Sequence, residues 1–277
     1  KLFGPGVDAD HLPHTLLAEN AFSRGMPAAG AGLADQLEEL VALHDASNIA
    51  AVIVEPFAGS AGVIVPPVGY LQRLREICTR HRILLIFDEV ISGFGRSGDV
   101  FGAQAFGVMP DIMNVAKCLT NGAQPMGAVI ASGEIYRSFM EAGGPDYAIE
   151  FPHGYTYSAH PVACAAAIAA LEVFVREDMV GRVRALAAPF EDALHALRGS
   201  RHVVDIRNIG LAGAVQIEAR AGEPLRRPYE IALAMWERGF YVRWGGDTLQ
   251  FAPPFVSERE DLLRLFETLG DVIETVA

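Results

Sequence analysis

The run Asn48-Ile-Ala-Ala-Val-Ile-Val54, answered after a helix-length interval by Ile83-Leu-Leu-Ile-Phe87-Asp88-Glu89, decides the fold class. Each apolar run is short, rich in β-branched and aliphatic residues, and stops at a carboxylate, Glu55 or Asp88. Such runs are expected for strands of a parallel sheet buried on both faces. Between them, Gly69–His81 places Tyr70, Leu71, Leu74, Ile77 and Cys78 on one helical face, with arginines and Glu76 on the other. Strand, helix and strand of this length form a βαβ unit, whose crossover rule predicts parallel pairing.

Further along, Ile112–Ala116 and Gly127–Ala131 read as two more strands. An alanine-rich helix is expected from His160 to about Val175, and a second over Arg182–Leu197, where Val183, Leu186, Phe190, Leu194 and Leu197 recur at helical spacing. Val203–Arg207, Gly213–Glu218, Gly239–Arg243 and Thr248–Ala252 then read as strands around helices near Pro228–Arg238 and Glu258–Val276. The predicted class is α/β, a mostly parallel sheet followed by a smaller α+β unit. The boundary is placed in the long helix, dividing the chain into 1–170 and 171–277.

Half of the 277 residues are hydrophobic, which supports a sizeable core. A net charge of −12 argues against nucleic acid or an anionic membrane as partner. The alanine-rich stretch around Pro161–Val175 is too short to span a bilayer. Three cysteines without a CxxC pair read as reduced thiols in a reducing, cytoplasmic setting. The opening KLFGPGVDADHLPH is polar and broken by Gly and Pro, unlike a signal peptide. It lacks Met and reads as a loop, so the expectation is a start within a longer chain.

Glu55, Asp88 and Lys117 each follow the last apolar residue of an expected strand, and ligands of open α/β sheets bind outside the carboxyl ends of the strands. Lys117 is one of two lysines beside 20 arginines, the other being terminal Lys1, and it lies in the apolar Ile112-Met-Asn-Val-Ala-Lys-Cys-Leu119. Either its stem packs on apolar surface while the amine reaches water, or the amine is used chemically. Spacing alone leaves both open. Asp88 likewise either caps the next segment or pairs with a protonated ring nitrogen. A pyridoxal cofactor needs such a carboxylate and an imine-forming lysine.

Other motifs carry less. Gly93-Phe-Gly-Arg-Ser-Gly98 has dinucleotide-fingerprint spacing, but five residues separate it from Phe87 and a poor helix start follows, so a tight glycine loop is expected. Asp8, Asp10, His11 and His14, or His153 and His160, lack a recognised ligand spacing, and no metal is expected. Cys118 has no nearby base and reads as a buried thiol.

The longer motifs Asp88-Glu-Val-Ile-Ser-Gly-Phe-Gly-Arg96, Pro110-Asp111, Ala116-Lys117, His153-Gly-Tyr-Thr-Tyr-Ser-Ala-His-Pro161 and Val54-Glu-Pro56 together resemble the class III aminotransferases of pyridoxal-phosphate fold type I. Similarity runs over essentially the whole chain. HDASNIAAVIVEP, PPVGYLQRLREIC, NGAQPMGAVIAS and FYVRWGGDTLQF bring it nearest to the ω-amino acid:pyruvate (β-alanine:pyruvate) branch.

The resemblance implies pyridoxal 5′-phosphate held by Lys117 as a Schiff base, with Asp88 on the pyridine nitrogen. Val90 would pack on a face of the ring, or be plain core, and Glu55 would lie near the phenolic side. Thr156 with Tyr155 would reach the phosphate held by a neighbouring subunit, implying a homodimer or higher homo-oligomer. Arg243, ending the FYVR strand, would clamp the substrate carboxylate, or else make a structural ion pair. The implied reaction is ping-pong transfer from an amine donor such as β-alanine to the keto acid pyruvate. Alternatives are a taurine- or amine-specific transaminase, a decarboxylase or aminomutase on the same scaffold, or a non-catalytic folded or oligomeric module. The family also has a small-residue phosphate loop and an aromatic residue over the ring. Neither is found before Asn48, so both are expected ahead of Lys1, and activity of this chain by itself does not follow from the resemblance.

Overall fold

A computed structural model of the chain describes residues 8–276; Lys1 and the first part of the polar opening lie outside the described residues. Helix α1 (Gln36–His44) precedes strand β1 (Ala51–Val54), helix α2 (Tyr70–His81) and strand β2 (Leu84–Asp88). A four-residue turn of helix, α3 (Gly102–Ala105), leads to β3 (Ile112–Val115) and β4 (Ala128–Ala131). These strands form one sheet in the order β1-β2-β3-β4. The first three are parallel, and β4 closes the row antiparallel to β3. The βαβ expectation and its parallel pairing hold, although β1 begins at Ala51 because Asn48 ends a tight turn.

Burial of the sheet is one-sided, which corrects the expectation of strands covered on both faces. Val52, Leu85 and Phe87 point into a core shared with Leu71, Leu74, Ile77 and Cys78 of α2 and Leu37 and Val41 of α1, while buried Val115 packs with Phe94, Leu119 and Ala167. Successive residues of a strand face opposite ways, and on the other face Ile53 is 57% and Val129 69% exposed. Among the described residues, α1 and α2 cover the face of Val52, Leu85 and Phe87, and the opposite apolar face stays open.

The same openness continues into α4 (Gly133–Ala142), which buries no residue, and α5 (Pro161–Arg176), which buries only Ala163 and Ala167. Pro161 at the first helical position fits the missing N–H of proline.

The remaining elements are α6 (Met179–His195), β5 (Val203–Ile209), β6 (Ala212–Ile217), α7 (Arg226–Glu237), β7 (Arg243–Gly245), β8 (Thr248–Phe251) and α8 (Arg259–Thr275). They build a second sheet, order β5-β6-β8-β7, antiparallel throughout. Phe190, Leu194, Ile206, Val215, Leu249, Phe266 and Leu269 form its core. Gly213 is required there: a Cβ would stand 2.6 Å from Leu194 Cδ2 and 2.9 Å from Phe190 Cζ, so α6 approaches β6 only because no side chain intervenes.

The expected strand Gly239–Arg243 is displaced. The amides of Gly239 and Phe240 donate to Trp236 and Met235 carbonyls, closing the end of α7 with Gly239 in the left-handed region. Val242 is buried in the core before the chain joins the sheet at Arg243.

Arginines join the two sheets. Arg207 Nε donates to the Gly62 carbonyl at 2.8 Å while its guanidinium pairs with buried Asp205, which also accepts the Phe22 amide at 2.6 Å. Arg96 Nη1 donates to the carbonyls of Leu211, at 3.0 Å, and Pro253, at 2.7 Å.

Candidate active site

The site is assembled by sheet register. Val54 pairs with Phe87, and Asp88 pairs with Asn114. Glu55 and Asp88 therefore leave adjacent strands at the same level, beside Asn114. The Glu89 amide extends this ladder to the Asn114 carbonyl at 2.8 Å. From Asn114 the chain runs through Val115 and the extended Ala116 into Lys117, whose φ is +46°. A left-handed lysine is uncommon, and such conformations cluster at functional sites. It turns the chain into a short 3-10 turn, Lys117–Leu119, directly at the end of β3.

Glu55, Asp88 and Lys117 are thus delivered to one sheet edge, as their strand-end positions suggest. Their environments differ from the expectation. Lys117 is exposed rather than interior, because the second sheet face above it is uncovered, and its amine bonds no described residue. Asp88 is half-buried; its Oδ1 accepts the Val90 amide at 3.1 Å, and its other oxygen has no hydrogen bond to a described residue. Glu55 is exposed, with Oε2 accepting the Gly59 amide at 3.0 Å. Val90 is half-buried beside Asp88.

Tyr155 and Thr156 lie in the turn before α5, both exposed, Tyr155 to 81%. Arg243 is exposed and makes no ion pair with a described residue. It opens β7 instead of ending a strand, because the FYV segment before it is occupied by the α7 cap and the core.

Glu89 is the residue that strand-end reasoning passes over. It is 0% exposed, and its carboxylate accepts from Ser92 Oγ at 2.6 Å, the Gly102 amide at 2.7 Å and the Ala103 amide at 2.7 Å. A buried carboxylate needs such donors. These bonds fold Gly93–Gly98 into a closed loop with the Phe94 amide on the Val100 carbonyl, the glycine loop anticipated in place of a dinucleotide site. The signal was present as a second acid directly after Asp88.

Among the described residues no cluster of three or more His, Cys, Asp or Glu gathers for a metal, and Asp10 pairs with His44 at 2.6 Å. Cys118 is half-buried instead of enclosed, while Cys78 is fully buried and its thiol pushed up to about 11 by burial. Among the described residues no helix is long and apolar enough to cross a membrane.

The chain is 63% identical to the omega-amino acid–pyruvate aminotransferase of Pseudomonas putida, over 99% of its own length and 61% of the relative's. It is 60% identical to the beta-alanine–pyruvate aminotransferase of Pseudomonas aeruginosa, over 100% and 62%. It therefore spans about three-fifths of the length of these relatives. An amine transaminase from an uncultivated Pseudomonas species, solved in its PLP-bound internal-aldimine form, superposes with a TM-score of 0.83 at 38% identity, over 89% of this chain and 57% of that one. The fold is that of the fold type I PLP-dependent transferases, and pyridoxal phosphate is the cofactor of these proteins. With the class-III aminotransferase profile matching residues 10–273, the chain belongs to the class III aminotransferase family.

Proposed function

We propose that this chain serves PLP-dependent transfer of an amino group from an ω-amino acid such as β-alanine to pyruvate, with Lys117 as the residue that carries the cofactor. The observation that carries this reading is the meeting of Asp88 and Lys117 at neighbouring strand ends. Lys117's amine and one Asp88 oxygen have no hydrogen-bond partner among the described residues. A carboxylate oxygen and a primary amine without partners among the described residues are what the cofactor needs, so the residues fit the group.

When bound, pyridoxal phosphate draws electrons from the substrate carbon that bears the amino group. Asp88 would hold a proton on the ring nitrogen, and Val90 would pack on the ring. Lys117 Nζ would move the proton between the amine-bearing carbon and the cofactor's C4′ carbon, in opposite directions in the two halves of the ping-pong cycle. Glu55 would hold the hydrogen-bond network on the phenolic side. Arg243 would bind the carboxylate of donor or keto acid through its planar guanidinium. Tyr155 and Thr156 would reach the phosphate held by a second copy, which makes the working unit a homodimer, and we place it in the cytoplasm. The domain division at residues 170/171 belongs to the same reading.

Borohydride reduction of the PLP-loaded protein, followed by peptide mass mapping, tests the assignment. A pyridoxyl mass on the Lys117 peptide is expected, and its absence overturns it. A second reading, a folded module that assembles without catalysing, is favoured by the open apolar surface of α4 and α5. Profiling β-alanine, taurine and aryl amines as donors separates the readings: turnover of none, with the adduct formed, supports the module.

A further inference from the structure

A cavity with a single arginine in its lining lies beside the turn that carries Lys117. The cavity between the Gly93–Gly98 loop, α5 and the segment after β8 holds about 140 Å³ and is lined by Arg96, Cys118, Asn121, Leu171, Phe174 and Phe255. Apart from Arg96, the lining is apolar or uncharged. The Arg96 guanidinium stacks 4.4 Å from the centre of the Phe255 ring, and Nη1 is taken by two backbone carbonyls. Its other nitrogens have no hydrogen bond, and no carboxylate lies within ion-pair distance among the described residues.

Arg96 is half-buried, and it differs from the buried arginines Arg207 and Arg227. Arg207 pairs with Asp205, and Arg227 lies 3.9 Å from a Glu218 carboxylate oxygen. A partly desolvated cation without a counter-ion gains from an anionic ligand. Burial pushes the Arg96 guanidinium down to about 10, opposed by the neighbouring Cys118 side chain. A planar guanidinium with a free edge on a small apolar cavity suits a carboxylate with a short hydrocarbon tail. The volume is below that of an ordinary drug-sized pocket, so the tail must be short.

We propose that the Arg96 cavity is a binding site for a short-chain carboxylate, separate from Arg243, which does not line it. Its occupant would lie against Cys118, the residue after Lys117, so binding there would bear directly on the turn that carries the lysine.

Cys118 supplies the readout. The unaltered chain is alkylated with iodoacetamide in the presence of acetate or of acetamide, and the rates at Cys118 and Cys164 are followed by peptide mass mapping. Acetate is expected to slow Cys118 roughly fivefold or more, acetamide not to, and Cys164 on α5 to be unaffected by either. Arg96→Met should abolish the protection, while Arg243→Met should leave it intact. Equal protection by acetamide, no protection, or protection surviving Arg96→Met overturns the proposal. Loss of protection in Arg243→Met also overturns it, by assigning the carboxylate to the other arginine. The acetate–acetamide comparison decides the matter even where Arg96→Met does not fold. None of these outcomes depends on cofactor loading, so the test stands apart from the borohydride experiment.

Discussion

Glu89 and Gly102 are joined by a 2.7 Å hydrogen bond from the glycine amide to a carboxylate with no exposed surface. Gly102 is the residue this contact demands, because a Cβ there would lie 2.8 Å from Pro56 Cβ and 3.0 Å from Glu89 Oε2. The bond ties the end of the glycine loop to the residue after Asp88, so the loop and the site-facing carboxylate share one anchor.

Replacing Glu89 by alanine would leave the Gly102 and Ala103 amides and the Ser92 hydroxyl without their acceptor. Each buried donor left unpaired costs about 1–3 kcal/mol, so a loss of about 3 kcal/mol or more is expected in urea unfolding. Glu89→Gln retains one acceptor oxygen and should lose less. Equal stability of Glu89→Ala and the parent would show that the loop does not depend on this carboxylate.

Asp88→Asn keeps the size of the side chain and an oxygen to accept the Val90 amide. The fold should survive, with thermal midpoints within a few degrees, because Asp88 lies on the open sheet face. In the PLP-loaded protein the absorption band of the cofactor should shift and transamination fall by roughly two orders of magnitude or more, as expected when a charge that stabilises the reacting state is removed. Unchanged absorption would remove Asp88 from its assigned place.

Why some of this was legible in the sequence and some not follows from particular residues. Val54-Glu55 and Phe87-Asp88 mark strand ends because an apolar run stops at a charge, a local property. Arg243 was misplaced because the Gly239 cap competes with strand extension, and a run of Phe, Tyr and Val does not reveal which wins. The exposure of Lys117 and Ile53 was not legible at all. An apolar strand is written the same way whether its second face is covered or open, and coverage depends on partners distant in sequence.

Gly213→Ala places a methyl group against Leu194 and Phe190 in the core of the second sheet. Overpacking of this kind costs about 1–3 kcal/mol. Leu194→Ala alone should also destabilise, by about 2–5 kcal/mol. The double substitution should be more stable than the sum of the two losses implies, because the added methyl enters the space vacated by leucine. Strict additivity in chemical denaturation would show that α6 shifts instead of clashing.

His195 gives the chain a pH dependence whose sign can be worked out. It is buried at the end of α6, where Nε2–H donates to Asn208 Oδ1 at 2.9 Å, and Asn208 in turn donates to Glu191 at 2.9 Å. Burial lowers its pKa from 6.5, opposed by the Asn208 bond; of the facing charges Arg24 lowers it further, while Glu191 and Asp205 raise it. In the unfolded chain the imidazole takes up a proton near its ordinary value, whereas in the folded chain it stays neutral to lower pH. Below about 6.5 the unfolded state therefore binds more protons, and stability must fall as pH falls through the interval down to the folded-state value. Above 6.5 this contribution is complete and constant. Thermal midpoints measured from pH 7.5 to pH 5 should decline less in His195→Gln than in the parent, since glutamine cannot titrate. Parallel decline in the two proteins would assign the acid sensitivity to other groups.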